Sequence, residues 1–176
     1  MTRRVAISAI GPDRPGLVNA IAEVIRAHGF NIEDSRMTVL GGEFAILMSV
    51  TGADAAVREL EVELGAACER LGLAYLFRPT VERERTGENA LPYQVHVRAM
   101  DNPGIVHEVA GFFSGRGINI DDLHTGTQHA PHTGTPIFDL VMRVQLPPGT
   151  AVRALRASFE AFCDERNLDG TLDSAS

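Results

Sequence analysis

Gly11-Pro12-Asp13-Arg14-Pro15-Gly16-Leu17-Val18 is written into this chain twice. It returns as Met100-Asp101-Asn102-Pro103-Gly104-Ile105-Val106, and 103 − 15 sets an offset of 88 residues. At that offset Ala22 matches Ala110, Gly29 matches Gly117, Asn31 matches Asn119, Ile32 matches Ile120 and Asp34 matches Asp122. Ungapped matches of this density make an internal repeat, and the period is too long for a solenoid unit, so each copy is a small domain. The expected division is residues 1–81, a linker at 82–91, and residues 92–173. Glu82-Arg83-Glu84-Arg85-Thr86-Gly87-Glu88-Asn89 is charged, carries a glycine and lacks apolar periodicity, as a linker does.

Each copy follows one pattern of elements. Val5, Ile7 and Ala9 alternate with smaller or polar residues, which predicts a half-buried strand. Gly11-Pro12-Asp13 breaks it. Asp13 is placed to cap a helix whose first turn holds Pro15, and Leu17, Val18, Ile21, Val24, Ile25 and His28 then recur at helical spacing as one buried face. Gly29 stops that helix. A strand over 31–40, a Gly41-Gly42 hairpin and a strand over 43–50 follow. A second helix over 53–71 and a last strand over 73–81 complete the copy. In the second copy the strands fall at 93–98, 118–128, 136–145 and 171–172, with helices over 103–116 and 150–166. Phe138 corresponds to Phe44 at an offset of 94, so six extra residues lie within His129-Ala130-Pro131-His132-Thr133-Gly134-Thr135. The order βαββαβ predicts an α+β protein of two ferredoxin-like domains in tandem, each a four-stranded antiparallel sheet with both helices on one face.

Charge and composition exclude several functions. The net charge of −7 argues against a phosphate backbone as the partner, so no direct nucleic-acid binding is expected. All 16 basic residues are arginine, which removes Schiff-base chemistry and the Walker lysine. Two cysteines, Cys68 and Cys163, make neither a disulfide framework nor a zinc site and read as buried small apolar residues. The repeated Met48 and Met142 read as core. No apolar run is long enough to span a bilayer, so a cytoplasmic protein without a membrane partner is the expectation.

The repeated loop offers binding chemistry without catalytic chemistry. It sets a turn and a glycine, Gly16 or Gly104, at a helix N-terminus, where free N–H groups and the positive dipole end suit a carboxylate. Asp13 or Asp101 would accept an ammonium group. The amide of Asn31 or Asn119 offers both a donor and an acceptor. The same residues serve equally well as helix caps and turn formers. His107, where the first copy has Asn19, is placed to reach a carboxylate or simply to face solvent. His124, His129 and His132 match no metal-ligand spacing and read as solvated, so neither a metal nor a cofactor is expected.

Asp-Arg-Pro-Gly-Leu-Val followed by Gly-Phe-Asn-Ile, and Asp-Asn-Pro-Gly-Ile-Val followed by Gly-Ile-Asn-Ile, resemble the ACT domain, a small-molecule regulatory module. Two such copies and nothing else are similar to the glycine cleavage system transcriptional repressor group. The resemblance implies amino-acid sensing, with the Pro-Gly loop of one domain facing an early strand of a neighbour. It places ligand contacts on Asp13, Arg14, Gly16, Leu17 and Asn31, and on Asp101, Asn102, Gly104, Ile105, His107 and Asn119. A non-catalytic sensor of a small, glycine- or serine-like amino acid, acting as a homodimer on a regulatory protein partner, is the leading expectation. A small hydrolase drawing on Asp13, Arg14, His96 and His107, and an oligomerisation module without a ligand, are the alternatives.

Overall fold

A computed structural model describes residues 1–80, 90–129 and 133–175, so the expected linker segment Glu82–Asn89, with Arg83 and Arg85, and His132 lie outside the described residues. The chain divides into two compact units, Met1–Arg83 and Glu84–Ser176. Unit 1 runs β1 (Thr2–Pro12), α1 (Leu17–Ala27), β2 (Asn31–Leu40), β3 (Glu43–Ala53), a 3-10 turn (Asp54–Ala56), α2 (Val57–Leu71) and β4 (Ala74–Thr80). Unit 2 runs β5 (Leu91–Met100), α3 (Ile105–Ser114), β6 (Asn119–His129), β7 (Pro136–Leu146), α4 (Val152–Glu165) and β8 (Asp169–Ser174). The sheets have strand orders β2-β3-β1-β4 and β6-β7-β5-β8, and every pairing is antiparallel. Each unit is thus the expected α+β, ferredoxin-like βαββαβ domain.

Alternation along the central strands sends Val5, Ile7 and Ala9, with Phe44, Ile46, Met48 and Val50, to one face. There Leu17, Ile21 and Ile25 of α1 and Leu60, Leu64 and Cys68 of α2 close over them. Unit 2 repeats the layer with Val95, Val97, Leu140, Met142 and Val144 beneath Val109, Phe113, Leu155, Phe159 and Cys163. Among the described residues, nothing covers the other sheet face within either unit.

The helix starts differ from expectation. Asp13 is not the cap and Pro15 is not inside the helix. Gly16 and Gly104 hold the N-cap positions with φ of 93° and 104° and make no side-chain cap bond. Pro at the second and left-handed Gly at the third place of a tight turn is a type II arrangement, and it delays the helix to Leu17 and Ile105. Val18 is 43% exposed rather than part of the buried face, because the core line runs in steps of four through Leu17, Ile21 and Ile25. Ala53 closes β3 instead of opening α2, and Thr150 precedes α4, its hydroxyl donating to the Pro147 carbonyl at 2.6 Å.

The β2–β3 hairpin turns on Gly41 and Gly42, with φ of 60° and 87°, a two-residue turn with both positions left-handed. In unit 2 the extra pair His129↔Pro136 lengthens the hairpin, so His129 is a strand residue and not a loop residue.

Candidate functional site

The Pro-Gly loop is clamped identically in both units. The Asp13 backbone N–H donates to the Gly42 carbonyl at 3.0 Å, and that of Asp101 to the Pro136 carbonyl at 3.1 Å. Each bond ties the loop to the adjoining hairpin. Arg14 donates through Nη2 to the Leu71 carbonyl at 2.7 Å, so its guanidinium occupies the negative C-terminal end of α2. Asn102, its counterpart, donates to the Met100 carbonyl at 3.1 Å. Gly11 permits the close approach of β1 to that same helix end, since a Cβ there would lie 2.7 Å from the Gly72 carbonyl oxygen. Leu17 and Ile105 turn their side chains into the two cores, which leaves only their backbone at the loop. Asp13, Gly16, Asp101 and Gly104 are exposed.

Asn31 and Asn119 lie elsewhere. Asn31 pairs with Thr51, and Thr51 pairs with Arg4 near the start of β1, whereas the Asp13 loop follows the end of that strand. From Arg4 to Pro12 is eight residues, about 26 Å at the rise of an extended strand. Unit 2 repeats this, with Asn119 opposite Gln145 and Gln145 opposite Pro92. No unit brings its own loop aspartate and strand asparagine together. The reason is topological: α1 carries the chain back so that β2 starts beside the beginning of β1.

Each asparagine instead belongs to a polar cluster that spacing alone did not single out. β2 and β6 carry register shifts between Ile32 and Asp34 and between Ile120 and Asp122, which set Glu33 and Asp121 at bulges. Asn31 Nδ2 donates to Glu33 Oε1 at 3.2 Å, and the Thr51 hydroxyl donates to the same oxygen. In unit 2, Asn119 Nδ2 donates to Asp121 Oδ1 at 2.9 Å and Gln145 Nε2 to Asp121 Oδ2 at 2.6 Å. Hydrogen bonds from Thr51 and then Asn31 hold the Glu33 carboxyl below the usual carboxylate range. The repeated Asn-Ile-acid-Asp string was the available signal.

His107 is exposed on α3 and lines a shallow groove of about 600 Å³ between α3 and α4. Phe112 and Phe162 sit in that groove under arginines, with the Arg116 guanidinium carbon 3.7 Å above the Phe112 ring and that of Arg166 4.1 Å above Phe162. Arg166 also pairs with Glu108 at 3.2 Å. His124 Nε2 lies 3.2 Å from Asp122 Oδ2, and among the described residues no three His, Cys, Asp or Glu side chains gather as a metal site. Cys68 and Cys163 are buried thiols, and burial raises both above the usual range, Cys163 to about 11. Among the described residues no helix is long and apolar enough to cross a membrane.

Residues 3–78 and residues 93–160 each match the ACT domain. The glycine cleavage system transcriptional repressor of Escherichia coli strain K12 is 30% identical over 169 residues, covering 96% of this chain and 88% of the relative. A UPF0237 protein of Methanopyrus kandleri is 47% identical over 75 residues, covering 42% of this chain and 82% of that protein. The crystal structure of an unknown protein from Galdieria sulphuraria superposes with a TM-score of 0.86 at 26% identity, covering 100% of both chains.

Proposed function

The chain belongs to the ACT-domain family, and from that premise we propose that it is a non-catalytic regulator sensing a small amino acid of glycine or serine size. The observation that carries the reading is the repeated loop. Two units build the same left-handed glycine, the same Asp N–H clamp to the hairpin and the same exposed aspartate at the head of a buried helix. A carboxylate would bind at the first-turn N–H groups, where the helix dipole is positive. Asp13 or Asp101 would accept the ammonium group. An asparagine that completes such a site comes from outside the unit, because each unit holds its own Asn31 or Asn119 at the far end of the sheet, and we assign it to a second copy of the chain. That makes a homodimer part of the proposal.

The regulatory role follows the family and the curated relative, which is a repressor. With a net charge of −7, direct contact with DNA is disfavoured, so the signal passes to a protein partner. Isothermal titration with glycine and L-serine tests the reading. Saturable heat that disappears in the Asp13→Ala/Asp101→Ala double variant supports it. Flat traces from folded wild-type protein overturn it.

A further inference from the structure

The uncovered face of the unit 2 sheet carries a second candidate site, away from the Pro-Gly loops. Strand register lines up Asp122 on β6, Arg143 on β7 and Gln94 on β5 as one row across three adjacent strands. Together with Val141, Met142 and Ala175 they line a partly open pocket of about 290 Å³. Arg143 Nη2 lies 3.7 Å from Asp122 Oδ2, and His124 Nε2 approaches the same oxygen at 3.2 Å. At ~30 Å³ per water this space corresponds to roughly ten water molecules, the scale of a small organic compound.

We propose that this cavity binds a small zwitterion, an α-amino acid, with its carboxylate on Arg143 and its ammonium group on Asp122. One fixed negative and one fixed positive charge stand side by side, so a dipolar ligand lies head to tail against both. An anion alone is drawn to Arg143 and repelled by Asp122, and a cation alone meets the reverse. Arg143 presents a planar fork of donors suited to a carboxylate. The Gln94 amide, next in the row, supplies both a donor and an acceptor to either end of the ligand. Val141, on the same face as Arg143, lines the wall and favours a short apolar or absent side chain. Strand register fixes the backbones of all three polar residues in one row before a ligand arrives.

Unit 1 supplies the internal control. The same row there reads Asp34, Ser49 and Ala6: the acid remains, but the cation and the amide are gone. The inference therefore assigns this second site to unit 2 alone.

The test is amide-resolved NMR titration of the full chain with L-alanine and glycine, with acetate and methylammonium as single-charge probes. The expected result is saturable shifts around residues 94, 122 and 143, at least tenfold weaker for either single-charge probe. Arg143→Met and Gln94→Ala should each weaken binding at least tenfold, and spectral dispersion reports that each variant is folded. Asp13→Ala/Asp101→Ala should leave these shifts in place. Shifts confined to the two Pro-Gly loops and indifferent to Arg143→Met overturn this site and leave the loop reading standing. Shifts confined to the sheet face do the opposite. Acetate binding as tightly as L-alanine overturns the zwitterion assignment, and no shift anywhere overturns both sites.

Discussion

Units 1 and 2 share their strand order and the positions of their helices, yet their uncovered sheet faces have opposite character. Across unit 1, one row of that face reads Arg36, Leu47, Ser8, Leu76 and the next Thr38, Ala45, Ile10, Ala74. Leu47, Leu76 and Ile10 are 57%, 62% and 52% exposed and cluster on adjacent strands. The corresponding rows of unit 2 read His124, Val141, His96, Thr171 and Gly126, Asp139, Arg98, Asp169. Arg98 and Asp139 pair there at 3.5 Å. The helical layers differ too. The backbones of α1 and α2 approach each other closely, whereas unit 2 sets Phe112, Phe113, Phe159 and Phe162 between and beneath α3 and α4. The difference teaches that the copies keep which positions are buried against the sheet, while side-chain size in the helical layer and polarity on the open face both diverge. Core volume is constrained by close packing, while an open face is free to become apolar or charged.

The aromatic layer gives the largest way to break the comparison. Phe159→Ala removes a fully buried ring lying 5.2 Å from Phe112 and 5.3 Å from Phe113 between centroids. It should cost unit 2 about 3–5 kcal/mol and leave unit 1 resonances at their usual melting point. Simultaneous loss of both units in a heated NMR series would show that they do not unfold separately. Next come two glycines that make room for neighbours. A Cβ at Gly52 would lie 2.5 Å from the Phe30 ring, and one at Gly170 would lie 2.4 Å from Cys163 Sγ. Gly52→Ala should destabilise unit 1, and Gly170→Ala unit 2, each by about 1–3 kcal/mol in denaturant unfolding.

Arg14 and Asn102 sharpen the comparison at the loop. Arg14→Ala strands the Leu71 carbonyl at the end of α2 and should cost about 1 kcal/mol in urea unfolding, because a charged donor is lost from an exposed site. Asn102→Ala, which removes only a bond within the turn, should cost about half as much.

The two thiols predict a dependence on pH. The Cys163 pKa is raised from 9.0 to about 11, chiefly by burial and then by Asp164 and Asp169. A raised folded value means the contribution to stability is complete below the unfolded pKa and is lost as pH climbs from about 9 towards 11. Alkylation by iodoacetamide at pH 8 should therefore be slow in native protein and fast in urea. The smallest effect is expected at Glu33. Its lowered pKa favours the folded state above the ordinary carboxylate value, and that contribution fades as pH falls through the folded pKa. Thr51→Val should move the carbon-detected titration of Glu33 upward with little change in melting temperature.

The sequence exposed most of the fold and less of the sites. Gly29 and Gly72 fall just past their helices with φ of 72° and 69°, and Gly41-Gly42 turns the first hairpin, so punctuation by glycine was readable directly. Leu60, Leu64 and Cys68, spaced four apart, pack α2 on the core, a helical period legible in the residues themselves. Asp13 misled because a Pro-Gly turn can consume the residues between an acid and the helix it would have capped. Arg14 gave no local sign of its partner, since Leu71 lies 57 residues away.

By itself, then, the chain determined two domains, their element order and most of the inward face of β1 and α1. Those properties are local, written in periods of two and 3.6 residues and in the backbone freedom of glycine. Tertiary structure decided which of the named residues meet. The parallel placement of β1 and β2 sends Asp13 and Asn31 to opposite ends of one sheet, although they stand only 18 positions apart. Strand register gathers Gln94, Asp122 and Arg143 into one row from three separate stretches. Register is set by the packing of the entire sheet, which no single stretch of sequence contains.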